Sequence, residues 1–109
     1  MSLTREEFEK VDIRVGTIKD VQAFPEARRP ARKLWIDFGE EIGIKKTSAQ
    51  ITDLYTKDYL LHKQVVAVIN FPPKQIGKFM SECLVLAVGN KKTILLHPEQ
   101  QSQNGMKIS

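Results

Sequence analysis

Three side chains in this chain of 109 residues have the chemistry for nucleophilic or metal work: Cys83, His62 and His97. A catalytic thiol needs a base beside it and a means of lowering its pKa. Neither histidine stands in a motif that pairs it with Cys83. Cys83 opens an apolar run and is read as buried packing. A lone cysteine forms no internal disulfide, and with two isolated histidines it makes a poor zinc set. Paired acids placed for proton transfer are lacking too. No catalytic residue, metal ligand or cofactor is assigned, and the chain is expected to bind rather than to catalyse.

Binding chemistry is better represented. Arg28, Arg29, Arg32 and Lys33 put four cations within six residues, the densest basic cluster in the chain. Such a cluster is a solvated loop, a phosphate-facing rim, or an arginine pair that bonds carboxylates across a subunit boundary. The run Lys33-Leu-Trp-Ile-Asp-Phe-Gly follows, with clean alternation. Leu34, Ile36 and Phe38 are predicted to face a core, with Lys33, Trp35 and Asp37 on the opposite side. The single tryptophan then lies outside, between a cation and an anion. Stacked bases, an apolar peptide side chain or a second copy of the chain would cover it, unless its own helix or loop does.

A second candidate surface lies between two apolar runs, 65–69 and 84–88. Both are short and mostly aliphatic, which predicts strands with little exposed surface. Pro72 and Pro73 remove two ladder donors, so the first strand stops at Phe71 and the connector is predicted to be irregular. Gly77 marks a turn within it. The connector carries Lys74, Gln75 and Lys78, with Phe71, Ile76, Phe79 and Met80 interleaved. Apolar side chains on a basic loop either tuck beneath it or meet a partner, and at least part of this loop is expected to be a contact surface.

The elements that hold these residues follow from local pattern. Thr4 with Glu7 is a capping box, predicting a helix of about two turns. Residues 11–18 alternate as a strand that continues toward Phe24, and the parity change at Ile18 predicts a kink or bulge at Gly16. Gly39 and Gly43 bound a hairpin connection. Residues 44–47 make the return strand with Lys45 and Lys46, Thr47 and Ser48 are read as helix caps, and a brief helical stretch follows over 53–61. A polar turn is expected at 89–92, a last strand at 93–97 ended by Pro98, and residues 106–109 return toward the body.

Charged residues at 28% and apolar ones at 41% describe a globular chain, and this length makes one domain, 1–109. Seventeen Lys and Arg against thirteen Asp and Glu permit an acidic partner without demanding one. The longest apolar run is far too short to span a membrane and no apolar leader opens the chain, so a cytoplasmic location without membrane insertion is expected.

The motifs Phe8-Glu-Lys-Val-Asp-Ile-Arg-Val-Gly-Thr-Ile, Phe24-Pro-Glu-Ala-Arg, Ser48-Ala-Gln-Ile-Thr and Asn70-Phe-Pro-Pro occur here in that order. Ile76-Gly-Lys-Phe-Met-Ser-Glu-Cys-Leu-Val-Leu follows them. Together they resemble the tRNA-binding-domain family of the oligonucleotide-binding (OB) fold, over roughly residues 8–108. The variants most resemble the stand-alone, export-related chaperone branch of that family. The resemblance implies an all-β fold with short helices: a five-stranded Greek-key OB barrel with an N-terminal helix and a C-terminal extension. It implies a ligand face on strands two and three, with Lys33, Trp35, Asp37, Lys46, Ser48 and Gln50, joined by Asn70, Phe71, Ser81 and Glu82. Two functions are carried forward. One is a chaperone that holds unfolded or export-bound polypeptides, with possible contact to export machinery, in an apolar cleft that includes Phe71 and Phe79. The other is structure-specific tRNA binding through the same face of a homodimer. Ser81-Glu-Cys-Leu departs from the Ser-x-Gly-Met pattern of many tRNA-binding relatives, which argues against close RNA approach at that point.

Overall fold

The capping box at Thr4 forms. Its hydroxyl accepts the Glu7 N–H at 3.1 Å and the Glu7 carboxylate accepts the Thr4 N–H at 3.1 Å. The computed structural model describes residues 1–89 and 92–109. After α1 (Arg5–Glu9) come β1 (Ile13–Ala23), β2 (Arg32–Asp37), β3 (Ile44–Ala49), α2 (Lys57–Leu60) and β4 (Gln64–Val68). Five short strands follow: β5 (Lys74–Ile76), β6 (Phe79–Ser81), β7 (Leu84–Val85), β8 (Ala87–Val88) and β9 (Ile94–Leu95). The main sheet has the order β3-β2-β1-β4-β7, antiparallel throughout. The outer strand β3 meets the link between β6 and β7 where the Glu82 N–H donates to the Lys46 carbonyl at 2.8 Å. The result is a nearly closed five-stranded barrel of the OB type, with α2 between the third and fourth strands.

Alternation on β2 fills the barrel as expected. Leu34, Ile36 and Phe38 are buried and join Ile18, Val21, Val65, Ala67, Ile51 and Leu60 in one core. β1 behaves differently from the sequence pattern. Its register against β2 slips between Ile18 and Asp20, so Lys19 is the extra residue and the bulge lies there, not at Gly16. That slip brings Ile18 and Val21 onto the same inner face. Gly16 is also buried there, because a Cβ would stand 2.6 Å from Ile36 Cγ2 and 2.8 Å from the Phe38 ring. The C-terminal tail pairs along the free edge of the first half of β1. Val15 N–H donates to Met106 O at 3.0 Å, and Ile108 N–H to Ile13 O at 2.9 Å.

Three further expectations change. The connector after Asn70 is an ordered hairpin, β5–β6, turned by Gly77 at φ +61°. Both prolines precede its first strand, so they remove no ladder bond. The run 84–88 divides between two partners, β7 on β4 and β8 on β9, and leaves Leu84 and Val88 about half exposed. Thr47 and Ser48 lie inside β3, and the helix cap is Thr56, whose hydroxyl accepts the Tyr59 N–H at 3.1 Å. The polar turn expected at 89–92 falls on Asn90 and Lys91, outside the described residues.

Gly16→Ala tests the inward packing. It is expected to lower stability by about 1–3 kcal/mol through overpacking, read as a lower urea midpoint at unchanged slope. An unchanged midpoint would contradict the close approach of Ile36 and Phe38.

Candidate binding wall and cleft

Outside the barrel, a second apolar cluster forms from Phe24, Ala31 and Phe79, with Ala27, Trp35 and Ile76 partly buried against it. Phe79 meets Phe24 edge-on at 5.4 Å and Trp35 at 6.1 Å. Lys33 Nζ sits 4.8 Å over the Phe24 ring and 5.3 Å from that of Phe79, and Lys46 Nζ is also 5.3 Å from Phe79. Trp35 is therefore half-buried: the β5–β6 hairpin covers part of its indole and leaves the rest open. Lys33 has only a 3.9 Å contact with the exposed Glu26 carboxylate. An exposed pair of that length contributes little, so both ammonium groups are held mainly over aromatic faces.

The four-cation cluster of the sequence divides. Arg28 and Arg29 are exposed on the loop between β1 and β2 and make no ion pair among the described residues. Lys33 joins the wall. Arg32 has the parity of Leu34 and Ile36, and its Nη2 donates to the Tyr55 carbonyl at 3.0 Å. Its Nε is buried without an acceptor. Asp37 and Asn70 carry structural bonds, and Asn70 is exposed. The Asp37 carboxylate accepts the Gly39 N–H at 2.9 Å and shapes the hairpin. The Asn70 carboxamide accepts the Asp12 N–H at 3.0 Å and donates to Lys10 O at 2.7 Å, stapling the end of β4 to the link after α1.

Ser81 and Glu82 close the barrel. The Glu82 carboxylate accepts the Lys46 N–H at 2.9 Å while the Glu82 N–H bonds the Lys46 carbonyl. Beside this pair, the Ser48 N–H donates to Ser81 Oγ at 3.1 Å, and Ser81 Oγ lies 2.9 Å from Thr47 Oγ1. Thr47 Oγ1 in turn donates to Cys83 O at 2.7 Å. Ser81 donating to Thr47 uses each hydroxyl hydrogen once. Cys83 is buried, and that burial pushes its thiol up to about 11, against the opposing hydrogen bond from Thr47. It is packing, as the sequence implied.

Five predicted residues meet in one cleft. Ser48, Gln50, Phe71, Lys74 and Ser81 line a hollow of about 490 Å³, floored by Ile51 and Cys83 and walled by Val85 and Leu95. Lys74 is its one charged side chain among the described residues. The cleft and the aromatic wall lie on either side of the β5–β6 hairpin, and Ile76 belongs to both. Phe79 does not reach the cleft, since it is buried on the wall side. Sequence reading missed Phe24 and Thr47 as parts of this construction. Their role depends on β6, which no local pattern places beside them.

The family model described as a putative tRNA binding domain matches residues 13–107. A methionine–tRNA ligase of Leptospira biflexa is 36% identical over 104 residues, which cover 94% of this chain and 15% of that protein. The chain thus spans a small part of that curated relative. The crystal structure of the chaperone CsaA from Bacillus anthracis superposes with a TM-score of 0.94 at 45% identity, over 100% of both chains. That of the CsaA chaperone protein from Picrophilus torridus gives 0.94 at 50% identity, over 99% of this chain and 100% of the other.

Two measurements check this construction. Thr47→Val leaves the Cys83 carbonyl and the Ser81 hydroxyl short of a partner, and a loss of about 1–3 kcal/mol is expected in denaturant unfolding. The raised Cys83 thiol contributes stability that is complete below the unfolded thiol's pKa and is lost as pH rises through about 11. A disulfide reagent at mildly alkaline pH should therefore label Cys83 only after unfolding, and rapid native labelling would contradict its burial.

Proposed function

The chain belongs to the family described as a putative tRNA binding domain, and on that premise we propose that it binds tRNA on the aromatic wall, without catalysis. The observation that carries this reading is the pair of ammonium groups, Lys33 and Lys46, resting over Phe24 and Phe79 beside a half-open Trp35. Such groups swing to phosphate at little cost, since an exposed cation–π contact is worth only about 0.5–1 kcal/mol. Arg28 and Arg29 extend the cationic rim. Phosphate contacts of this kind position RNA by its backbone and shape. The likeness to CsaA chaperones supports a second reading, in which the apolar cleft holds unfolded or export-bound polypeptide in the cytoplasm, with a contact to export machinery. The cleft favours it: apolar walls with Lys74 and the hydroxyls of Ser48, Ser81 and Thr93 suit an extended chain carrying apolar side chains. Among the described residues no helix is long and apolar enough to cross a membrane.

A homodimer belongs to both readings. α1 and the tail enclose a groove of about 680 Å³ lined by Leu3, Phe8, Val11 and Ile108, with Leu3 69% exposed. A second copy would cover these side chains and double the cationic face.

Trp35 fluorescence separates the two ligands. Quenching by tRNA is expected to weaken with salt at a log–log slope of about −0.7 to −0.9 per phosphate neutralised. Lys33→Gln should flatten that slope by about one contact. Salt-tolerant quenching by unfolded polypeptide, with none by tRNA, would overturn the RNA reading and select the other. Light scattering is expected to give twice the 12.4 kDa chain mass, and Val11→Asp should shift it toward monomer. A monomer mass for the unaltered chain removes the dimer.

A further inference from the structure

A third hollow, of about 430 Å³, opens between α2 and residues 94–101. Tyr55 and Tyr59 stack at 5.5 Å and 28° on its wall, and Tyr59 is 53% exposed. Leu60, fully buried beside them, anchors the helix that carries Tyr59. Lys63 Nζ lies 4.6 Å over the Tyr59 ring. The polar groups are disposed to read an edge. The Tyr55 hydroxyl accepts the Leu95 N–H at 3.1 Å, so its own hydrogen remains to be donated. His97 Nδ1 lies 2.8 Å from Pro98 O. A carbonyl only accepts, so Nδ1 carries the hydrogen and Nε2 of the neutral ring is an acceptor. His62 ends α2 at φ +70°, the one positive φ outside glycine among the described residues, with its N–H donated to Ile18 O at 2.8 Å. That turn sets His62 and Lys63 side by side on the lining, with Glu99 the one carboxylate there.

An aromatic face, an edge with a donor and an acceptor, and an adjacent ammonium match the base face, the base edge and the phosphate of a nucleotide. We infer that this hollow is a nucleotide subsite, taking one unpaired nucleotide of bound RNA, an inference that rests on the RNA reading above. The base takes the Tyr59 face now under Lys63, because a stacked base outweighs an exposed cation–π contact. The displaced ammonium then meets the phosphate. The hollow adjoins the surfaces already described: the Tyr55 carbonyl holds Arg32 Nη2, and Leu95 lines both this hollow and the apolar cleft.

The test is a titration of the full chain with adenosine 5′-monophosphate, followed by amide and imidazole NMR signals, with inorganic phosphate in a parallel arm. Saturable shifts at Tyr59, Lys63 and His97 are expected, with a dissociation constant on the order of millimolar. Phosphate alone should move Lys63 and His62 but not His97. Tyr59→Ala should weaken the nucleotide at least about fivefold while Tyr59→Phe keeps it, and an unchanged melting temperature shows that each variant is folded. No shift at these residues, the full pattern from phosphate alone, or shifts produced only by unfolded polypeptide would each overturn the subsite. A chain that retains tRNA without adenylate shifts loses the subsite and keeps the RNA reading. A chain that shows the shifts without retaining tRNA keeps a nucleotide site and loses that reading.

Discussion

A five-stranded sheet has two edges, and everything useful about this molecule depends on how β3 and the link into β7 are brought together. The join is a single backbone hydrogen bond, Glu82 N–H to Lys46 O, returned by the Glu82 carboxylate on the Lys46 N–H. A side-chain oxygen thus takes the place that a strand carbonyl would hold in a full ladder. The wholly buried Thr47 supports the join from inside by linking Ser81 to Cys83 O. An open edge would expose unpaired donors and acceptors, and barrel closure is what removes them.

That closure also builds the surfaces. The β5–β6 hairpin runs directly into Glu82, so seating Glu82 on Lys46 lays the hairpin across the outside of β2 and β3. Phe79 then drops onto Phe24 and beside Trp35, while the other side of the hairpin becomes one wall of the apolar cleft. Lys33 and Lys46 come to rest over the rings by the same step. An aromatic bed keeps their charge close to the surface without neutralising it, unlike a buried carboxylate partner.

Much of the fold was legible because it is local. The Thr4 capping box, the alternation of β2 and the glycine-bounded hairpin at 39–43 each need only near neighbours in sequence. β1 was legible only in part. Its two apolar parities suggest a kink at Gly16, yet both are genuine: Ile18 joins the core, Val15 is buried on the other face, and the tail pairs along the strand edge. The small residue at Gly16 makes room for Ile36 and Phe38 from the next strand, and nothing within β1 announces them. Pro72 and Pro73 misled in a similar way. They rule out a ladder at their own positions and say nothing of the hairpin that starts one residue later.

The candidate site divides along the same line. The sequence by itself determined which residues are cationic, aromatic or amide, and that Lys33 and Trp35 share the outer face of a strand, because a period of two is a property of the backbone. Only the tertiary structure decided which of them remain available. Arg32 is turned to the Tyr55 carbonyl and Glu82 to Lys46, whereas Arg28, Arg29, Lys74 and Asn70 stay exposed, Asn70 while bonding the backbone near α1. The physical reason is that a polar group's availability depends on which backbone groups lie within hydrogen-bond reach of it. In this barrel those groups come from distant parts of the chain, brought near by strand pairing and closure.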